Sequence, residues 1–387
     1  MFSSDKSKNI ILCQMSDTEL LELFKKINST PLRFRRKLNL SSSISFGNEI
    51  EVNSLPLDTA VLVTELFNDV HELEDKDRYV VHQEETTDAE IVTPILHNNE
   101  EQWETFFDMY AALYETGATI AGNTSSHIHI GSHAIDTPKK LSLLLKTLVV
   151  FEPIIFKFGY GYNNVPRPYL KYRDCNHRVF SPMMTPKKVA AFTDYLDTHA
   201  ITSFNEDCFS EFLSNELLFR PVFNFKSFNF DKLYRENIYR TPDDDHFEVR
   251  CFNGTLRPEI AQNNINLIGS IVDAVVDGRI DEEYVLEEYK KYKKKRYGFE
   301  YKYAKFDDDK VGEQYNRLLN GFNKIKMDKA LKLADMIFET ELDKCFFLKQ
   351  YLKLFRAEPE YVESLVQEKN VFKTHFFILT NLVFFYL

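Results

Sequence analysis

Apolar and polar residues alternate with a two-residue period in several short stretches, separated by longer runs of helical period. In Phe46, Gly47, Asn48, Glu49, Ile50, Glu51 and Val52 the alternation predicts a strand with Glu49 and Glu51 on one face and Ile50 and Val52 on the other. Further strands are expected at 78–82, 90–96, 127–131 and 246–252, with a looser one at 219–230. Helical spacing begins at Ser16, an N-cap before Leu20, Leu21, Leu23 and Phe24, and returns at 57–72 with Asp58 near its start. A third helix, capped by Asn98 or Asn99, carries Trp103, Phe106, Phe107, Tyr110 and Leu113 on its apolar face and ends at Gly117.

Thr137 and Pro138 open a helix expected to run to about Phe151, where Pro153 should kink or stop it. A loop at 159–182, helices at 185–199 and 206–218, and a helix opened by Pro258 and ending near Gly278 complete this part. Beyond Asp281 the chain turns charged, rich in Lys and Tyr, and reads as helical to about 370. The predicted organisation is an N-terminal helical extension (1–40), a core (41–278) and a helical C-terminal region (279–387). The order of elements predicts an α+β fold, a mostly antiparallel sheet with helices segregated from it.

At 387 residues, 44% hydrophobic and 28% charged, the composition is that of a globular protein with length enough for a sizeable core. A net charge of −11 argues against broad nucleic-acid binding. A phosphate-bearing ligand must then find local positive charge, from cations or arginines. Cys13, Cys175, Cys208, Cys251 and Cys345 are scattered and lack CxxC spacing, so neither a disulfide framework nor a structural zinc site is expected, and a reducing, cytoplasmic setting fits. The start of the chain lacks a signal-peptide pattern. The aromatic tail at 376–387 is too short to span a bilayer, which needs about 20 residues, and reads as a buried terminal element or a homo-oligomer contact.

Chemistry concentrates in the strands. Two carboxylates on one face of a core strand are costly unless a cation neutralises them, although an isolated pair such as Glu49 and Glu51 is more often an edge strand wetted on one side. Gly47 beside them permits close approach of a ligand to the backbone. His127 and His129 share a face between Ile128, Ile130 and Gly131; two imidazoles so placed make metal ligation about as good a reading as a structural role. Glu248 and Arg250 share another face, either as an in-strand ion pair or as a carboxylate for a cation beside a guanidinium for a phosphate. Glu90, upstream of Thr93 and Pro94, gains meaning only in this company. Carboxylates with imidazole and no thiolate cluster suit Mg²⁺ or Mn²⁺. No P-loop or Rossmann glycine motif is present, which leaves phosphates to be held by metal and arginine on a sheet face.

These four stretches, in this order, resemble the amidoligases of the glutamine synthetase and glutamate–cysteine ligase superfamily of carboxylate–amine ligases. That family opens on Phe-Gly-x-Glu-x-Glu, continues through Glu-x-Val-Ser/Thr-Pro and Gly-x-His-x-His, and closes on Glu-Phe-Arg leading into Phe-x-Gly-Thr. Here the corresponding stretches are 46–51, 90–94, 127–131 and 248–255, and the resemblance spans about residues 44–275. It implies a glutamine-synthetase-like fold and ATP-dependent joining of a small-molecule or peptide carboxylate to an amine through an acyl-phosphate, with Mg²⁺ or Mn²⁺. One metal would be held by Glu49, His127 and Glu248, another by Glu51 and Glu90. Arg250 would stabilise the γ-phosphoryl group, His129 would help bind phosphate or the acyl-phosphate, and Glu51, His129 and Arg250 would form the catalytic set. Arg220 and Asn224 would contact nucleotide or substrate, and Arg167, Arg173 and Arg178 the substrate carboxylate. One departure stands out: Ser125 occupies the place of the family's glycine before the histidines.

Two other classes compete. A metal-dependent hydrolase also uses His-x-His on a strand, but its barrel needs a strand–helix repeat the chain lacks. A catalytically inactive ligase fold serving in assembly would draw on the basic run at 290–296, which reads first as a solvated helix face.

Overall fold

The computed structural model of the chain describes residues 2–84, 86–121, 124–131, 133–159, 193–194, 196–197, 228–229, 246–296 and 325–366. The predicted loop at 159–182 and the helices at 185–199 and 206–218 lie largely or wholly outside these residues, as do Cys175, Cys208 and the aromatic tail.

Strand β1 (Ser45–Val52) lies inside a seven-stranded sheet whose order is β2-β3-β1-β5-β7-β6. Its companions are β2 (Val80–His82), β3 (Ala89–Val92), β5 (Ser125–Gly131), β6 (Phe228–Asn229) and β7 (His246–Asn253); β4 (Leu96–His97) also pairs with β1. Every pairing is antiparallel, as the sequence predicts. The strand expected at 90–96 is split into β3 and β4, because Pro94 has no N–H to give the ladder. Thr93 makes good the loss: its Oγ1 accepts the Asn48 N–H at 2.9 Å and its own N–H reaches Asn48 O at 3.0 Å.

One face of the sheet is apolar and covered by helices. From β1 it presents Phe46, Asn48, Ile50 and Val52, all buried. Helix α3 (Glu100–Glu115) stacks Trp103 on Phe46 with ring centroids 4.8 Å apart. Asn99 is its cap, accepting the Gln102 N–H, while Asn98 is a buried bracket that receives the Leu38 N–H and Trp103 Nε1–H. Asn48 is satisfied in this layer by Tyr110 Oη and Ser126 Oγ, each at 2.7 Å. Helix α1 (Asp17–Ser29) begins with the expected Ser16 cap, closed reciprocally by Glu19, and α2 (Leu57–Val70) lies against β2 and β3.

Helix α4 (Pro138–Gly159) backs β7 and continues beyond Pro153, so of the expected kink or stop near Phe151 the stop does not occur. The reason is burial. Val149, Val150, Phe151, Ile154 and Ile155 are all in the core, and at about 1.5–3 kcal/mol for each large apolar side chain they outweigh a proline penalty of about 3 kcal/mol. Helix α5 (Pro258–Val276) is buried along nearly its whole length and links the sheet to α7 (Met327–Ile337) and α8 (Glu341–Tyr351). Two of its asparagines bind there: Asn263 Nδ2 donates to Gln350 Oε1 at 2.9 Å, and Asn266 Nδ2 to Asp343 Oδ1 at 2.9 Å. Residues 2–16 bind the same helices, with Leu12 N–H and Cys13 N–H on the Asp335 carboxylate and Ser3 N–H on Glu341.

Helix α6 (Glu282–Arg296) carries the basic run; Lys290 and Lys291 are exposed, and Lys291 pairs with Glu288. No helix of the described residues is long and apolar enough to cross a membrane.

Candidate active site

Register brings the four polar stretches together on the sheet face opposite the helices. Across β1 and β5, Glu49 faces His127 and Gly47 faces His129. Across β5 and β7, His129 faces Glu248. On the other side of β1, Glu51 faces Glu90, which in turn faces His82 of β2. Residues separated by up to about 200 positions are thus neighbours because four adjacent strands share one parity.

Glu49 is the centre. One carboxylate oxygen, Oε2, meets His127 Nδ1; the other, Oε1, lies 2.8 Å from His129 Nε2. His127 Nδ1 is also 3.5 Å from Glu248 Oε1. Two sets of donor atoms each lie within 4.8 Å of one another: Glu49, Glu90 and His127, and Glu49, His129 and Glu248. A carboxylate shared by two such sets can bridge two divalent cations.

The electrostatics are those of crowded acid. Burial raises Glu49, but the hydrogen bonds and charges of His127 and His129 outweigh it and hold the carboxyl well below its usual range. Burial and the Arg250 charge oppose a proton on His127; the hydrogen bond and charge of Glu49, with Glu51, overcome them and raise it. Burial also raises Glu248, and the charges of His127 and Arg250 bring it below the ordinary value. Among the described residues Glu90 has no comparable partner. Burial first, then the Glu49 charge, push it up to about 7, with His127 opposing in part. A positive charge is what this cluster lacks most at neutral pH.

Arg250 makes an ion pair with Glu248, and its buried Nε has no hydrogen-bond partner among the described residues. Its placement depends on a β-bulge. The β5–β7 register pairs Ser126 with Phe252 and Ile128 with Val249, so Arg250 and Cys251 together oppose His127. The extra residue leaves Arg250 beside the acidic cluster and lets both Cys251 and Phe252 pack into the core. Gly254 then permits β7 to leave: a Cβ there would sit 2.5 Å from Thr124 Oγ1.

Glu51 is turned onto the start of β5. Its Oε2 accepts the Ser125 N–H at 2.6 Å, its Oε1 accepts the Ser125 hydroxyl, and Oε1 lies 3.3 Å from His127 Nε2. Sequence reasoning gave Ser125 no such bond, and gave no role to His246 or His82. His246 sets its ring 4.7 Å from that of His129, and His82 Nδ1 is 3.8 Å from Glu90 Oε1. Parity with Glu248 on the same strand was the signal for His246; spacing marks nothing at His82, which meets Glu90 only through the β2–β3 pairing. Arg220, Asn224, Arg167, Arg173 and Arg178 lie outside the described residues.

A search among curated proteins finds no match. A protein-family model described as "Putative amidoligase enzyme" matches residues 66–272, more than half of the chain. The matched span holds Glu90, His127, His129, Glu248 and Arg250, and begins after β1 with its Glu49 and Glu51. The chain therefore belongs to the amidoligase family.

Proposed function

We propose that the protein is an ATP- and Mg²⁺-dependent carboxylate–amine ligase, built on a glutamine-synthetase-like fold and working through an acyl-phosphate. The observation that carries the reading is the sharing of Glu49 between two three-residue donor sets on one sheet face, with Arg250 at their edge. Three carboxylates and two imidazoles suit hard or borderline divalent cations, Mg²⁺ or Mn²⁺, and the excess of buried acid fits their charge. Glu49, Glu90 and His127 would hold one ion, and Glu49, His129 and Glu248 the other. Bound there, the ions would neutralise the phosphate oxygens of ATP.

The chain's own residues would do the rest. The Nε of Arg250, which has no hydrogen-bond partner among the described residues, belongs to a planar fork suited to a phosphoryl group in transfer. The substrate carboxylate oxygen attacks the γ-phosphorus and ADP departs. The amine nitrogen then attacks the acyl carbon, phosphate leaves, and the nitrogen gives up a proton. His129 and Glu51 stand beside this path, and Arg220 and Asn224 are proposed for nucleotide or substrate contacts. The acceptor and donor would be small molecules or peptides. A metal-dependent hydrolase is the weaker reading, since the open antiparallel sheet is unlike a barrel of repeated strand–helix units. The test is ADP release by purified protein in Mg²⁺ with paired carboxylate and amine candidates. Glu248→Gln should abolish it with the fold retained, and failure of ATP to bind in Mg²⁺ by calorimetry would overturn the proposal.

A further inference from the structure

The face that carries the donor sets runs on past the carboxylates toward the edge of the sheet. Across the β1–β3 ladder Glu49 faces Val92, and Val92 in turn faces Val80 on β2. The three share one face, yet the outer two are apolar. Val80 is 45% exposed, Val92 is half-buried, and both stand outside the hydrophobic core. Pro94, half-buried, and Ile95, 40% exposed, continue this apolar surface along the chain.

Gly47 leaves the way open between that shelf and His129. The space where its side chain would stand is bounded by Thr93 Oγ1 at 3.6 Å, His129 Cβ at 3.7 Å and Pro94 O at 3.8 Å. A ligand crossing Gly47 passes from the donor cluster onto aliphatic surface. A single exposed valine needs no explanation, but apolar residues gathered beside a charged site are the usual lining for a ligand's carbon skeleton.

Charge decides which ligand. Glu49 faces Val92 across the ladder, Glu90 lies two residues from it on β3, and Glu84 adds its charge to Glu90. Arg250 is on β7, three strands away from β3, about 14 Å at the usual strand spacing. Cations held by the donor sets would be balanced by the phosphates they bring, so the border of the shelf stays anionic. A carboxylate laid there would meet like charge, whereas an ammonium group would find its complement.

We propose that Val80, Val92, Pro94 and Ile95 form the subsite for the amine substrate, and that this substrate is a primary amine with an apolar carbon skeleton, lying across Gly47 with its nitrogen toward the carboxylates. The inference rests on the ligase reading above and names the class of its amine.

The experiment is calorimetric titration of the full chain, in Mg²⁺ with a non-hydrolysable ATP analogue, by n-alkylamines from ethylamine to hexylamine. Kd should fall by about two- to fourfold for each added methylene. Val80→Ser and Ile95→Ser, at exposed positions, and Val92→Thr, close in size, should flatten that gradient while leaving the affinities for ethylamine and for the ATP analogue unchanged. Alkyl carboxylates of the same lengths should show no gradient. A wild-type series without a gradient, or a gradient that survives in all three variants, would overturn the subsite. A gradient in the carboxylates alone would seat the acyl substrate on the shelf, and loss of ATP-analogue affinity in Val80→Ser would seat the adenine there; either result overturns the assignment. Should the ATP analogue not bind in Mg²⁺, the ligase reading falls as well; should it bind while the amines show no gradient, only this inference falls.

Discussion

Glu51 and Glu90 are directly opposed across the β1–β3 ladder, two carboxylates on one face with Glu49 nearby. Ser125 and His127 surround Glu51, whereas the ion pairing of Glu90 among the described residues is with a distant His82 ring nitrogen, at 3.8 Å, and it carries the consequence of the crowding. Burial and the Glu49 charge raise it to about 7, above an ordinary carboxyl near 4.5. The folded state then holds a proton between these values that the unfolded chain has released. Its contribution to stability is present in full below about pH 4.5 and is lost as pH rises through 7.

The difference in stability between wild type and Glu90→Gln, measured by urea unfolding in EDTA, should accordingly fall with rising pH across that window. The slope should approach about 1.4 kcal/mol per pH unit, the value for one proton. Mg²⁺ or Mn²⁺ should restore wild-type stability above pH 7 and do less for the variant, which keeps the Glu49, His129 and Glu248 set. A flat difference would mean that Glu90 ionises as an ordinary surface acid.

Glu49 is common to both donor sets, so its replacement should cost more than that of any other ligand. Glu49→Gln keeps the shape and one acceptor oxygen but removes the charge that holds His127 and His129. Both Mn²⁺ equivalents should weaken together, whereas Glu90→Gln should weaken mainly one. ADP formation should fall by at least about 10³-fold, the scale expected when charge stabilisation of a transferring phosphoryl group is lost. Parallel titrations of the two variants decide the matter; equal losses in both would argue against a shared carboxylate.

Much of this site is legible in the sequence because a strand has a period of two. Glu49 with Glu51, His127 with His129, and Glu248 with Arg250 were each assigned to one face from spacing alone, and the strands present them so. What spacing does not carry is which strand lies beside which. β1 sits between β3 and β5, and only that order makes Glu49, not Glu51, the residue shared between histidines. The bulge opposite His127 was equally hidden, since Arg250 and Cys251 look like any alternating pair until a partner strand counts them. Ser125 reads as linker when its neighbours are Thr124 and Ser126. Pro153 misleads in the opposite sense: local preference allows a kink or a stop, and burial on both sides of it rules out the stop.

Gly47 tests whether a ligand approaches the sheet where the geometry allows. A Cβ at this position would meet Thr93 Oγ1 at 3.6 Å and His129 Cβ at 3.7 Å, ordinary contacts that the protein tolerates. The backbone is extended, so Gly47→Ala should leave the thermal midpoint within a few degrees of wild type. If nucleotide or substrate lies over the strand beside His129, the added methyl should raise KM for one of them about tenfold. Unchanged kinetics would place the ligand elsewhere on the face.

Arg250 separates charge from shape. Its ion pair with Glu248 needs only a cation, and Arg250→Lys preserves one. The buried Nε, which has no partner among the described residues, needs the guanidinium itself. A lysine should therefore keep the fold and the affinity for Mn²⁺ nearly intact, because Glu248 stays neutralised. It should lower kcat for ADP formation by about 10²-fold or more while leaving KM for ATP within a few-fold, the pattern of an interaction made chiefly in the transition state. Arg250→Ala should fail differently: it strands Glu248, buried to 1% exposure, without its guanidinium, and should lower stability by about 3–5 kcal/mol. Comparing the two variants by unfolding and by steady-state kinetics assigns the residue. Should lysine match wild type in kcat, Arg250 is a structural counter-ion and the phosphoryl group is stabilised by another side chain.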